Sequence, residues 1–182
     1  MNIKGKRVTL RAIEREDLSR LHYWSNDPEI QTGLGGWHLP SSSWQMERWW
    51  QKLQSDQLNQ RFAIDTPEHG LIGMANLVAI NWKDRNAFHG LFIGDEFLRG
   101  QGYGSDTVMA VMRYSFEELG LERLDTTVIE YNQASLGMYT GKCGWKQEGR
   151  KRNCYYRQGR YWDQIIIGIN RDEYYLLLNQ DN

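Results

Sequence analysis

The chain has 182 residues, of which 22 are Lys or Arg and 23 are Asp or Glu, for a formal net charge of −1. That length suits one domain spanning residues 1–182 with a sizeable core, and the balanced charge argues against a general nucleic-acid or polybasic membrane binder. No run approaches the ~20 apolar residues of a membrane span. The opening MNIKGKRVTL lacks the apolar core of a signal peptide, and Cys143 and Cys154 form neither a zinc spacing nor a disulfide framework. The expectation is a cytoplasmic protein with free thiols.

In chain order, 7-RVTLRAI-13 predicts a strand with Val8, Leu10 and Ala12 on one face. A helix follows over 16–26, with Leu18, Leu21 and Trp24 as its apolar stripe. The Gly- and Pro-bearing stretch 27–40 reads as loop. Ser42 with Gln45 forms a capping-box pattern for a helix over 43–55 whose face carries Met46, Trp49, Trp50 and Leu53. Strands are expected at 61–65, 71–81 and 87–94, then a helix from 104 to 119 closed by Gly120. A strand at 123–130, a short helix at 133–142 and a hairpin over 154–169 turning at Gln158-Gly159 complete the reading. The order gives an α/β fold with a mixed sheet, mostly antiparallel, holding one parallel unit.

The parallel unit contains 99-RGQGYG-104, three alternate glycines just ahead of a helix. Such a loop presents backbone N–H groups and a helix N-terminus to a phosphate. A P-loop would need Lys and Ser/Thr directly after the last glycine, and neither follows Gly104. A dinucleotide fingerprint would pair Gly100, Gly102 and Ser105 with an acid after the next strand, where Glu130 stands. That motif opens a parallel sheet, whereas an antiparallel meander comes first here. A flexible turn is the bland alternative.

The run Arg99-Gly100-Gln101-Gly102-Tyr103-Gly104 resembles the [QR]-x-x-G-x-[GA] pyrophosphate loop of the GNAT superfamily of acyl-CoA-dependent N-acetyltransferases. Downstream, 132-NQASLGMYTGKCGW-145 resembles the second element of that family, with Asn132, Ser135, Leu136 and Tyr139 on one helical stripe. The start 8-VTLRAIEREDL-18 and the segment Tyr156 to Asp163 resemble the branch holding ribosomal-protein N-terminal and spermidine acetyltransferases.

The resemblance implies acetyl-CoA as cosubstrate and direct transfer to a primary amine, on a sheet splayed where the cofactor binds. It assigns cofactor contacts to Phe92, Ile93, Arg99, Gly100, Gln101, Gly102, Tyr103, Gly104, Ser105, Asn132 and Ser135. A backbone N–H of Phe92 or Ile93 would hold the thioester oxyanion. Tyr139 would be the general acid for the departing thiolate, unless it is simply a core or pantetheine-contacting tyrosine. Asn132 would meet the pantetheine arm, order the nearby loop or cap its helix. Thr140-Gly141 departs from the family pattern and bears on the pose of Tyr139.

For the base, Glu130, Glu96, Asp163 and a water chain stay open. His22, His38, His69 and His89 make no ligand-spaced pair, so no metal is expected. The acceptor pocket is expected between Trp24 and Trp50 and the C-terminal hairpin. There Asp27, Glu29 and Glu47 could attract a cation, and Trp37, Trp44, Trp49 and Trp50 could form a cation–π wall or simply pack. A polyamine, amino sugar, aminoglycoside or peptide N-terminus remain open as acceptors, and a homodimer remains open as the assembly. A catalytically silent acyl-CoA-binding module and, more distantly, an NAD(P)-dependent oxidoreductase are the rival functions.

Overall fold

The structure is a computed structural model that describes residues 1–36 and 39–180. Its centre is an eight-stranded sheet in the order β1-β2-β3-β4-β5-β6-β8-β7. The strands are β1 (Ile3–Lys4), β2 (Thr9–Arg11), β3 (Gln60–Thr66), β4 (Gly70–Asn81), β5 (Asn86–Ile93), β6 (Arg123–Ile129), β7 (Lys146–Arg157) and β8 (Arg160–Asn170). Neighbours run antiparallel except β5 and β6, which are parallel because α4 (Tyr103–Arg113) carries the chain across between them.

The two faces of the sheet bury separate apolar clusters. One side packs α4, α5 (Gln133–Gly137) and α6 (Arg171–Gln180) over residues such as Leu77, Val111, Phe116, Tyr139 and Trp145. The other packs α1 (Leu18–Ser25), α2 (Pro28–Gly33) and α3 (Ser43–Leu53) over Leu21, Trp24, Ala63 and Leu71. Leu18, Leu21 and Trp24 are buried as their spacing requires, and Met46, Trp49, Trp50 and Leu53 pack partly buried on the same cluster. The capping box starts α3: Gln45 N–H donates to Ser42 Oγ at 3.2 Å, and Ser42 N–H donates to Gln45 Oε1 at 2.8 Å.

Four expectations change. The first long strand is only Thr9–Arg11, and Ala12 is exposed while Ile13 is buried, because the chain leaves the sheet to join the α1 face. The stretch read as loop holds α2. Asp27 caps it by accepting from Glu29 N–H at 2.8 Å, with Pro28 at the first helical position, a start signal present in the sequence. Strand β7 begins at Lys146, since pairing with β8 holds residues of weak strand character. Helix α6 was not anticipated; Tyr174 anchors it against Phe116 at 5.3 Å and donates to Glu117 Oε1 at 2.7 Å. The hairpin turn falls at Gln158 (φ 53) and Gly159 (φ 76) as expected.

Candidate active site

Strands β5 and β6 pair over only three residues, Asn86↔Arg123 to Phe88↔Asp125, and then part. Beyond that point β6 pairs with β8 and β5 with β4, so each strand has a reason to turn from the other. The gap opens into a cleft of about 1580 Å³ that reaches both faces of the sheet.

The splayed edge of β5 carries unpaired backbone. Gly94 N–H donates to the Ile72 carbonyl of β4 at 2.8 Å. Alternate residues of a strand face the same neighbour, so Phe92 also turns its amide to β4, while Leu91 and Ile93 turn theirs to the cleft. Of the two amides expected at this strand end, geometry therefore aims that of Ile93 at a ligand. The Phe92 side chain instead packs edge-on against Trp24, with centroids 6.0 Å apart.

At the end of the cleft the glycine loop turns into α4. Gly100 (φ 75) and Gly102 (φ 92) occupy left-handed backbone that side chains disfavour. Gly102 is the N-cap, and no side chain caps the helix, which leaves the first N–H groups of α4 without an intrahelical acceptor. Gly104 has a packing reason as well: a Cβ there would fall 2.8 Å from Met138 Sδ.

Arg99, Gly100, Gly102, Gly104, Ser105, Asn132 and Ser135 all line the cleft, together with Phe92, Ile93 and Tyr139. Gln101 and Tyr103 do not. The Gln101 side chain donates to the Phe97 carbonyl at 2.5 Å, and the Tyr103 ring is buried beneath the Arg7 guanidinium, 4.1 Å from its centroid. Only their main chain can serve the loop. The Arg99 side chain is likewise committed: Nε donates to the Ile93 carbonyl at 3.1 Å, Nη2 to the Gly94 carbonyl at 2.8 Å, and Nη1 pairs with Glu29.

Across the cleft, the Asn132 amide works at both ends. Its Oδ1 accepts from Ser135 N–H at 3.1 Å, capping α5, and its Nδ2 donates to the Gly33 carbonyl at 3.2 Å. Tyr131 OH donates to the Thr32 carbonyl beside it. Helix α2 is thus fastened to both banks of the splay, by Arg99–Glu29 on one and by Tyr131 and Asn132 on the other.

Tyr139 is 3% exposed, faces Thr126 and packs edge-on against Trp145 and His89. Its segment, Met138–Lys142, is a π-turn in which Cys143 N–H reaches back to the Met138 carbonyl at 3.1 Å, which accommodates Thr140-Gly141. Burial raises the phenol pKa well above its ordinary value. Proton transfer from a phenol near ~10 to a thiolate near ~8.5 is uphill when both are in water. Burial keeps the Tyr139 hydroxyl neutral and able to donate a hydrogen bond into the cleft.

The three carboxylates considered as bases all stand outside the cleft lining. Glu96 is exposed. Glu130 and Asp163 share Arg150 in the hairpin, and that guanidinium lowers the Asp163 pKa, the wrong direction for a base. The acceptor-side acids are also engaged: Asp27 caps α2, Glu29 pairs with Arg99, and Glu47 lies 3.3 Å from Arg15. Of the tryptophans, Trp49 lines the cleft, Trp44 is exposed beneath Arg48, and Trp50 Nε1 donates to the Ile13 carbonyl at 2.8 Å. Trp37 and His38 lie outside the described residues.

Arg61 and Asn76, absent from the sequence reading, also line the cleft. Only strand register reveals them. Among the described residues no group of three or more His, Cys, Asp or Glu could hold a metal ion, and no helix is long and apolar enough to cross a membrane.

Residues 7–146 match the family model described as "Acetyltransferase (GNAT) domain". The SPbeta prophage-derived uncharacterized N-acetyltransferase YokL of Bacillus subtilis is 30% identical over 173 residues, covering 94% of each chain. The spermidine N(1)-acetyltransferase of Vibrio cholerae is 30% identical over 172 residues, 93% of this chain and 96% of that one. The crystal structure of a Vibrio cholerae spermidine N-acetyltransferase in complex with CoA and spermine superposes with a TM-score of 0.87 at 27% identity, over 94% of this chain and 99% of that one.

Proposed function

The chain belongs to the GNAT acetyltransferase family, and from that premise we propose that it moves the acetyl group of acetyl-CoA directly onto the primary amine of a small molecule. The observation that carries the reading is the parting of β5 from β6 beside the uncapped N-terminus of α4. A strand edge with free amides can take the pantetheine arm as an added strand, and the helix end suits the pyrophosphate. Strand β8 pairs along the whole of β6, which supports reading the strands and helix after residue 146 as part of the same domain.

The amine attacks the thioester carbonyl carbon from the α1–α3 side. The oxyanion accepts a hydrogen bond from the Ile93 N–H. As the C–S bond breaks, the sulfur accepts from Tyr139 OH, which steadies the thiolate without giving up its proton. The amine proton leaves through water and the thiolate is protonated in turn, giving an amide and free CoA. The single cleft-lining carboxylate among the described residues, Glu29, is held by Arg99, which favours water over a side chain as the proton's route. Relatives named for spermidine support a small amine as acceptor.

The test is CoA thiol release from acetyl-CoA against a panel of amines. Amine-dependent release supports the transferase. Binding of acetyl-CoA with no release for any amine would favour a silent binding module, and stabilisation by NAD(P) alone would remove the reading.

A further inference from the structure

We propose that the acceptor is an amine that also carries an oxyanion, a carboxylate or phosphate, and that Arg61 and Asn76 select it; this rests on the transferase reading above. The two residues face each other across β3 and β4, in the register Arg61↔Asn76↔Gly90. All three line the cleft on the side of α1 to α3. A Cβ on Gly90 would lie 3.3 Å from Asn76 Nδ2, so the Asn76 amide rests over the β5 backbone that leads to the splay.

This polar row is unsatisfied. Arg61 Nη1 and Asn76 Oδ1 are buried with no hydrogen-bond partner among the described residues. Buried donors and acceptors of this kind cost free energy unless something occupies them. Asp56 acts on Arg61 only through space, while its carboxylate accepts from Asn59 and Leu58 N–H at 3.0 Å. An unpaired guanidinium in a cleft favours a planar or tetrahedral oxyanion, which it can hold by two parallel bonds. Asn76 Oδ1 can accept from an N–H or O–H of the same ligand.

The charge of the wall agrees. Among the described residues lining that side Glu29 is the one carboxylate and is paired with Arg99, whereas Arg61 brings positive charge. A polycation would find no free carboxylate among the described residues there and would face a guanidinium with no hydrogen-bonded acid.

The experiment compares ω-amino carboxylates of three to six carbons and O-phosphoethanolamine with neutral ω-amino amides of the same lengths and with spermidine. It uses wild type, Arg61→Gln and Arg61→Lys, with acetyl-CoA binding as the folding control. The expected result is that at least one oxyanion-bearing amine exceeds its neutral partner roughly tenfold or more in kcat/KM. Arg61→Gln should erase that preference through KM with kcat nearly kept, and Arg61→Lys should restore part of it. Preference for spermidine or the neutral amides overturns the inference while leaving the transferase intact. So does an oxyanion preference that survives Arg61→Gln. No turnover of any amine, with acetyl-CoA bound, removes the transferase reading and this inference with it.

Discussion

The Asn132 side chain donates to the Gly33 carbonyl at 3.2 Å while its own oxygen caps α5, so one amide joins the helix that carries Tyr139 to the helix that roofs the cleft. Asn132→Ala removes both bonds. The cap alone is worth about 1 kcal/mol. The expected outcome is a modest fall in Tm together with weaker acetyl-CoA binding by calorimetry; an Asn132→Asp variant should keep the cap and lose the tie to Gly33.

Tyr139→Phe keeps the ring that packs on Trp145, at 5.0 Å, and removes the hydroxyl. Turnover should fall on the order of a hundredfold with acetyl-CoA affinity nearly unchanged. Because burial holds the phenol neutral, the kcat profile of the wild type should show no step from Tyr139 ionisation across ordinary assay pH. Unaltered turnover in the variant would leave Tyr139 as core packing.

Gly102 at φ 92 cannot take a side chain without strain of roughly 1–2 kcal/mol. Gly102→Val should therefore distort the amides offered to the pyrophosphate and raise the Kd for acetyl-CoA at least tenfold. Gly120 (φ 67) is as strained but lies at the far end of the α4 segment. Gly120→Ala should lower Tm without changing that Kd, which separates loop strain from general destabilisation.

Gly94 closes the strand end where Trp24 packs; a Cβ there would lie 1.9 Å from Trp24 Cε2, and the indole is 1% exposed with nowhere to go. Gly94→Ala is expected to cost about 3 kcal/mol in urea denaturation.

His89 is fully buried, with Nδ1 on the Asn76 carbonyl at 2.8 Å and Nε2 without a partner among the described residues, and burial lowers its pKa to about 4. The unfolded chain takes a proton near ~6.5, which the folded chain refuses until about pH 4. Stability from this group is complete above about 6.5 and is lost as pH falls through that window, by about 3 kcal/mol in all. His89→Phe should flatten the acid limb of a Tm-against-pH curve between those values. An unchanged limb would show that carboxylates elsewhere govern it.

The sequence by itself determined what depends on neighbours along the chain. The run 99-RGQGYG-104 is legible as a glycine loop ahead of a helix because alternate glycines and a helix start are local. Asn132 and Tyr139 share a stripe because helical spacing puts them there. The Asp27-Pro28 start of α2 was equally local, but the glycines after it masked the signal. Tertiary structure decided what depends on register between distant strands. Whether Ile93 or Phe92 offers its amide follows from the bond between Gly94 and Ile72, 22 residues earlier. Glu130 and Asp163 looked free as bases until the hairpin brought Arg150 between them. Arg61 and Asn76 carry no motif at all. They meet because β3 and β4 pair antiparallel in one register, and a shift of a single residue would put the two on opposite faces of the sheet.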